Sequence, residues 1–243
     1  MSGHSKWSQI KHKKAITDAK KGQLFSKLTK EIMVAVRTGG SAQETNTRLR
    51  SAIDHAKEDG LPKENIERAV MRASGSEEGM AFQEFIYEAT AAFGVMMIIE
   101  GITDNKNRAT AEINHILSEH GAKFAEPGSV MWNFEKIGTI EVVYESNGEM
   151  PREKIENAII ESGARDMRII ESMIVIETDF YSREEIRRKL ESLRIIVGRL
   201  GHEYKAKNPI IVRDEDKSKL EPVFETLLSH DDVQEVYTNI SEV

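Results

Sequence analysis

Six lysines lie within the nineteen residues HSKWSQIKHKKAITDAKKG, His4 to Gly22, against one acid, Asp18. Ammonium groups at this density suit one task. They neutralise a row of phosphates and release the condensed counterions, which gives affinity without base sequence. Lys6, Lys11, Lys13, Lys14, Lys20 and Lys21 are the candidate phosphate ligands, with His12 among them. Trp7 offers a flat ring that either stacks on an unpaired base or packs onto the structure behind it. Arginine is absent before Arg37. Lysine serves phosphate as a point charge, whereas the arginine fork is the usual reader of guanine. Contact with the nucleic-acid backbone is therefore expected ahead of sequence-specific readout.

The rest of the chain has the opposite charge. Residues 1–38 hold nine basic side chains and two acidic ones, a charge of +7, while the remainder holds 25 basic and 39 acidic residues, −14. The whole chain of 243 residues is at −7. Such asymmetry marks a polyanion-binding end on an acidic body. Acidic surfaces are not expected on a nucleic acid, so the body is assigned to protein partners or to holding domain spacing.

Other chemistries find no matching pattern. There is no cysteine, which excludes disulfides and thiolate sites and suits a reducing compartment. Neither a G-x-x-x-x-G-K-[ST] loop nor a G-x-G-x-x-G turn is present, and no H-E-x-x-H occurs. His115 and His120 are five apart, which does not put both on one helix face, so no metal site is expected. Asp104, Asn105 and Asn107 gather at a strand-to-helix junction, where helix capping explains them better than a site. No apolar run reaches membrane-spanning length and no secretory pattern is seen, so a cytoplasmic location is expected. The expectation is a protein with no catalytic residues, cofactor or small-molecule substrate. An enzyme with a site between domains is the remaining class, without an acid–base or metal set to support it.

These side chains need elements to carry them. Leu24, Phe25, Leu28, Ile32, Ala35 and Val36 fall on one arc of a helix, with Lys27, Lys30 and Arg37 opposite. That arrangement extends the basic block onto a folded positive face, and Gly39-Gly40 ends the helix. Ser41 and Glu44 read as a capping box for a second helix through Leu49, Ala52, Ile53 and Ala56. Pro62 opens a third through Ile66, Ala69, Val70 and Ala73.

After a linker at 74–79 the pattern turns to strands at 82–90 and 93–102, a helix capped by Asp104, and a short strand at 129–134. From Gly138 the order is β-α-β-β-α-β, the ferredoxin-like order, with Ser182 and Glu185 as a second capping box. A last strand–helix–strand unit at 210–240 is too small to hold its own core and is expected to complete the earlier sheet.

The fold class is thus α+β multidomain: an N-terminal three-helix domain, then two α/β domains with antiparallel or mixed sheets, one of them ferredoxin-like. The expected domains are 1–79 (basic, helical), 80–134 with 208–243 (discontinuous α/β), and 135–207 (inserted).

Four stretches carry a resemblance. HSKWSQIKHKKAITDAKKGQLFSKL, LRSAIDHAKEDGLPKENIERAV (49–70), TDNKNRATAEINHILSEHGAKFAEPGSVMWNF (103–134) and HDDVQEVYTN (230–239) resemble, in the same order, the YebC/PmpR family. The resemblance implies a cytoplasmic three-domain transcriptional regulator that binds DNA. Mitochondrial relatives implied by it are translational activators, and bacterial members are linked to the ribosome. Ribosomal RNA is accordingly the alternative partner to DNA. One stretch departs from the family. A glycine-rich GYGPGG-like segment usually follows Tyr-Glu, where this chain reads Tyr87-Glu88-Ala-Thr-Ala-Ala-Phe93-Gly94.

Overall fold

The apolar stripe that begins at Leu24 produces a helix longer than its spacing predicts. In the computed structural model, which describes residues 18–75 and 82–241, α1 runs Asp18–Gly39. It packs against α2 (Thr47–Glu58) and α3 (Lys63–Ser74) through Leu28, Ile32, Ala35, Leu49, Ile53, Ile66 and Ala69. The start of α2 differs from the expected capping box. Asn46, not Ser41, caps it, accepting from the Leu49 N–H at 3.0 Å. Its amide also donates to the carbonyls of Ala35 (2.8 Å) and Gly40 (2.7 Å), so one buried side chain satisfies the end of one helix and the start of the next. Sequence spacing cannot show that dual use, because the partners lie on another element.

The first sheet has the strand order β3-β1-β2-β8. Strand β1 (Gln83–Thr90) pairs antiparallel with β2 (Met96–Thr103) and with the two-residue β3 (Lys123–Phe124), which the sequence pattern did not reveal. Strand β8 (Val233–Thr238) pairs antiparallel with the other edge of β2. Helices α4 (Lys106–Glu119) and α7 (Asp214–Leu228) cover one face with Ile113, Leu117, Val223, Phe224 and Leu227. The helix start moves again, here by one residue: Asn105 caps α4 by accepting from Arg108 N–H at 3.1 Å, while Asp104 pairs with the Arg108 side chain. Segment 129–134 is not a strand but a 3₁₀ turn, Met131–Asn133, leading into the strand that begins at Phe134. Segment 210–212 makes only a parallel bridge from Ile210 to Ile240. At the glycine-poor β1–β2 hairpin, Phe93 takes φ 62° and Gly94 φ 76°. A bulky residue thus takes the left-handed conformation where glycine would be unstrained.

Glu88 on β1 fixes the 3₁₀ turn. Its carboxylate accepts the N–H groups of Gly128 (2.5 Å), Val130 (2.7 Å) and Met131 (2.7 Å). Burial alone would raise its pKa, but the three backbone donors outweigh it and hold the group below its ordinary 4.5. A depressed folded pKa gives stability that is present above pH ~4.5 and lost as pH falls through the folded value. Glu88→Gln turns an amide NH₂ towards backbone donors. It is expected to cost about 1–3 kcal/mol, read as a lower urea midpoint with unchanged slope.

The second sheet has the order β5-β6-β4-β7, formed by β4 (Phe134–Val143), β5 (Asp166–Ile170), β6 (Met173–Asp179) and β7 (Leu200–Ala206). With α5 (Arg152–Glu161) and α6 (Arg183–Ser192) in between, this is the ferredoxin-like arrangement. Its core joins Ile140, Val142, Ile174 and Ile176 to Ile155, Ile159, Ile186 and Leu190. Ser182 does precede α6 but makes no side-chain capping bond, and Arg194, in the left-handed region at φ 63°, lies just past the helix end. The chain divides into two compact units, residues 136–204 and the remainder. Among the described residues there are seven α-helices and two four-stranded antiparallel sheets, an α+β multidomain fold.

Candidate nucleic-acid interface

Helix α1 carries the described part of the basic end, and the structure separates its cations into two groups. Lys6, Trp7, Lys11, His12, Lys13 and Lys14 lie outside the described residues, and Lys20 is described only as backbone within α1. Lys21 is exposed, with its ammonium 5.6 Å from the centre of the Phe25 ring. Arg37 is exposed in the last turn.

Lys27 and Lys30 do not form the open positive face that the helical arc predicts. Lys27 is only 6 % exposed and donates to the carbonyl of Leu228 at 2.6 Å. Lys30 donates to the Asp231 carbonyl at 3.0 Å and pairs with Asp232 at 2.5 Å, while Gln23 donates to the Ser229 carbonyl at 3.1 Å. The physical reason is the end of α7. Its last carbonyls lack helical partners and carry the negative end of the dipole, so Lys27 docks there, while Lys30 meets the loop just beyond it at Asp231 and Asp232. Periodicity shows which side of α1 is polar. It does not show whether that side meets water or another helix end.

Around Lys30 a polar junction forms that sequence reasoning did not assign. Asp232, 2 % exposed, accepts from Lys30 Nζ, from Thr103 Oγ1 at 2.9 Å and from Arg108 Nη2 at 2.8 Å. Its own carbonyl accepts the Ile102 N–H at 2.8 Å across the bulge at Glu100/Gly101. A Cβ at Gly101 would overlap the Phe85 ring and that carbonyl, so glycine is needed for the approach. Burial alone would raise the Asp232 pKa; the three side-chain donors overcome it and hold the carboxyl below its ordinary 3.8.

Glu112, His230 and Asp232 come close enough to suggest metal ligands. Their hydrogen bonds suggest otherwise. His230 Nδ1 accepts the Asp232 N–H at 3.1 Å, which leaves Nε2 protonated and donating to Glu112 at 3.0 Å. The ring has no lone pair left for a cation, and Lys30 and Arg108 already balance Asp232.

The cations still available to phosphate are those without a carboxylate. Among the described residues of α1, α2 and α3, Lys21, Arg37, Arg68 and Arg72 are exposed and make no ion pair, whereas Arg48 pairs with Glu84, Lys57 with Asp54 and Lys63 with Glu67. Arg72 lines a shallow groove on α1 with Phe25, Ser26, Thr29, Lys30 and Phe82. Arg68 and Arg72 were not singled out from the sequence. Their signal is positional: both fall between the buried residues Ile66, Ala69 and Ala73 of α3.

With this geometry in hand, comparison with known proteins places the chain. Residues 5–76 match the N-terminal domain of TACO1/YebC proteins, and residues 82–240 match their second and third domains. The chain belongs to the TACO1/YebC family. A relative from Dictyoglomus turgidum is 42 % identical over 98 % of this chain and 95 % of its own length. One from Thermotoga maritima is 42 % identical over 98 % of this chain and 93 % of its own. Both bear the name "Probable transcriptional regulatory protein". Among solved structures, a conserved hypothetical protein from Aquifex aeolicus shares 39 % identity with a TM-score of 0.86, covering 98 % of this chain and 97 % of that one. No described helix is long and apolar enough to cross a membrane.

Proposed function

We propose that this TACO1/YebC protein is a cytoplasmic, non-enzymatic regulator that binds nucleic acid, a transcriptional regulator that contacts DNA phosphates through its N-terminal end. The observation that carries this reading is the charge partition, +7 in residues 1–38 against −14 elsewhere. The names of the relatives agree with a regulatory role. The proposed contacts are Lys6, Lys11, Lys13, Lys14, Lys20, Lys21 and Arg37, with His12 and Trp7 beside them and Arg72 on the groove of α1. The acidic α/β parts face protein partners.

Ribosomal RNA is the second reading, because the same lysines serve either polymer. Phosphate contacts alone do not distinguish the two polymers. Co-sedimentation with ribosomes before and after nuclease treatment separates them. Loss of the protein from the ribosomal fraction after nuclease favours RNA, and absence from that fraction throughout favours DNA.

The same reading takes 1–79, 80–134 with 208–243, and 135–207 as three folding units. Fragment 135–207 is expected to unfold cooperatively by itself, and fragment 80–134 is not. A sharp thermal transition for 80–134 alone would overturn that division.

A further inference from the structure

The groove on α1 begins where the basic block ends. Gly22, Phe25 and Met33 line it from α1, Arg72 lines it from α3, and Phe82 lines it from just before β1. Phe25 and Phe82 are half-buried: each packs against the helical core and keeps part of its surface open. Gly22 is the residue that packing does not account for. It lies inside a helix of 22 residues, where glycine is among the weakest helix formers. A Cβ there would meet no described atom within 4 Å, so no close approach within the protein demands glycine. The missing side chain leaves open groove beside the Phe25 turn.

Two cations border this space. The Lys21 ammonium is 5.6 Å from the centre of the Phe25 ring, and Arg72 lines the groove itself. Both are exposed, and neither makes an ion pair among the described residues. Lys30 is 6.0 Å from the Phe82 ring but is already engaged by Asp231 and Asp232. The described carboxylates of the neighbouring elements are occupied as well: Glu31 faces His55, Glu84 holds Arg48, and Asp232 holds Lys30 and Arg108. Positive charge without a counterion therefore adjoins an apolar slot with two rings. An apolar side chain would use the rings and leave the cations unanswered; a free phosphate would do the reverse. A nucleotide uses both, with the base stacked on the rings and the phosphate on the cations. Its base must be unpaired, because a paired base keeps its faces inside the duplex.

We propose that the groove receives one unpaired nucleotide, its base against Phe25 and Phe82 in the space that Gly22 leaves and its phosphate on Arg72 and Lys21. This contact deepens the nucleic-acid reading and rests on it. It adds a preference for single strands to the backbone contacts of the lysine block.

The test titrates the full-length protein into three labelled probes, oligouridylate, oligothymidylate and a blunt DNA duplex, followed by fluorescence anisotropy. Gly22→Leu fills the groove with a side chain that suits a helix. It is expected to weaken both single strands about 10-fold, to leave duplex binding unchanged and to hold or raise the thermal midpoint. A purely structural role for Gly22 would not combine lost binding with retained stability. Phe82→Leu keeps the apolar bulk, loses the flat ring and should weaken the same two probes. Arg72→Gln, at an exposed position, should flatten the salt slope for single strands by about 0.7.

Equal weakening of the two single strands supports a groove that takes either polymer, and a loss confined to oligouridylate or to oligothymidylate supports one restricted to RNA or to DNA. Single-strand binding by Gly22→Leu and Phe82→Leu equal to the parent overturns the inference. So do equal losses on single strands and duplex, an unchanged slope in Arg72→Gln, or a parent protein that binds no single strand. Lys11→Glu/Lys13→Glu/Lys14→Glu tests the N-terminal reading separately. If it weakens all three probes while the groove variants weaken none, the N-terminal reading stands and the groove falls. If it weakens none, the N-terminal reading falls, whatever the groove variants do.

Discussion

Replacing Asp232 with alanine is expected to destabilise the protein by about 3–5 kcal/mol, the usual cost of removing one partner from a buried charge pair. Asp232 answers Lys30, Thr103 and Arg108 together, from α1, β2 and α4. Its removal leaves the Lys30 ammonium at a largely buried position with only the Asp231 carbonyl, while Arg108 keeps Asp104. The loss should therefore fall mainly on the α1 contact. Adding Lys30→Met to Asp232→Ala should cost less than the sum of the two changes, because the second removes the charge that the first left unpaired. Urea midpoints of the four proteins in the cycle give the coupling directly.

The pH dependence has a definite sign. Asp232 has a folded pKa below its ordinary 3.8, so its contribution is fully present above about pH 4 and is lost as pH falls through the folded value. Glu88 acts in the same direction from its own ordinary 4.5. Acid should therefore destabilise the parent more steeply than Asp232→Asn below pH 4. Parallel curves for the two proteins would show that Asp232 does not titrate as described.

Reversing Lys11, Lys13 and Lys14 to glutamate is the change with the largest expected effect on binding. Each phosphate contact contributes about 0.9 to the slope of log affinity against log salt, so losing three should flatten that slope by roughly 2.7. Affinity at low salt should fall by at least about 10-fold, with the new acids adding repulsion. Lys27→Met should behave differently. Its ammonium is spent on the end of α7, so the variant is expected to lower the unfolding midpoint and leave the salt slope unchanged. The contrast separates lysines that hold the fold from lysines offered to a partner, a distinction that charge counting alone does not make.

Most of the architecture was legible because it follows from local pattern. The apolar stripes of α1, α2 and α3, the Pro62 helix start and the β-α-β-β-α-β order all depend on short-range periodicity and turn residues. What escaped the sequence depends on partners far along the chain. Asn46 caps α2 because it also reaches Ala35 and Gly40, so Ser41 was the wrong candidate. The 3₁₀ turn at Met131–Asn133 replaces a strand because Glu88, forty residues earlier, gathers its N–H groups. Lys27 and Lys30 read as a solvated arc until the end of α7 and the loop after it supply carbonyls at a sequence separation of 201. Asp232 looked like any loop acid, since nothing near it in sequence marks it as buried. The candidate interface was legible as charge, and that Arg68 and Arg72 are exposed without an ion pair became visible only when their neighbours' ion pairs were placed.

The central claim is that the basic N-terminal end touches nucleic acid in the cell. Ultraviolet crosslinking of the intact protein in cells, with mass-spectrometric mapping of the crosslinked peptides and sequencing of both DNA and RNA recovered, tests it most directly. The expected result is nucleotide adducts on peptides within residues 1–38, with DNA as the principal polymer. Adducts on those peptides carried by ribosomal RNA would move the assignment to the second reading. A protein that is crosslinked only outside residues 1–38, or not at all, would contradict the account.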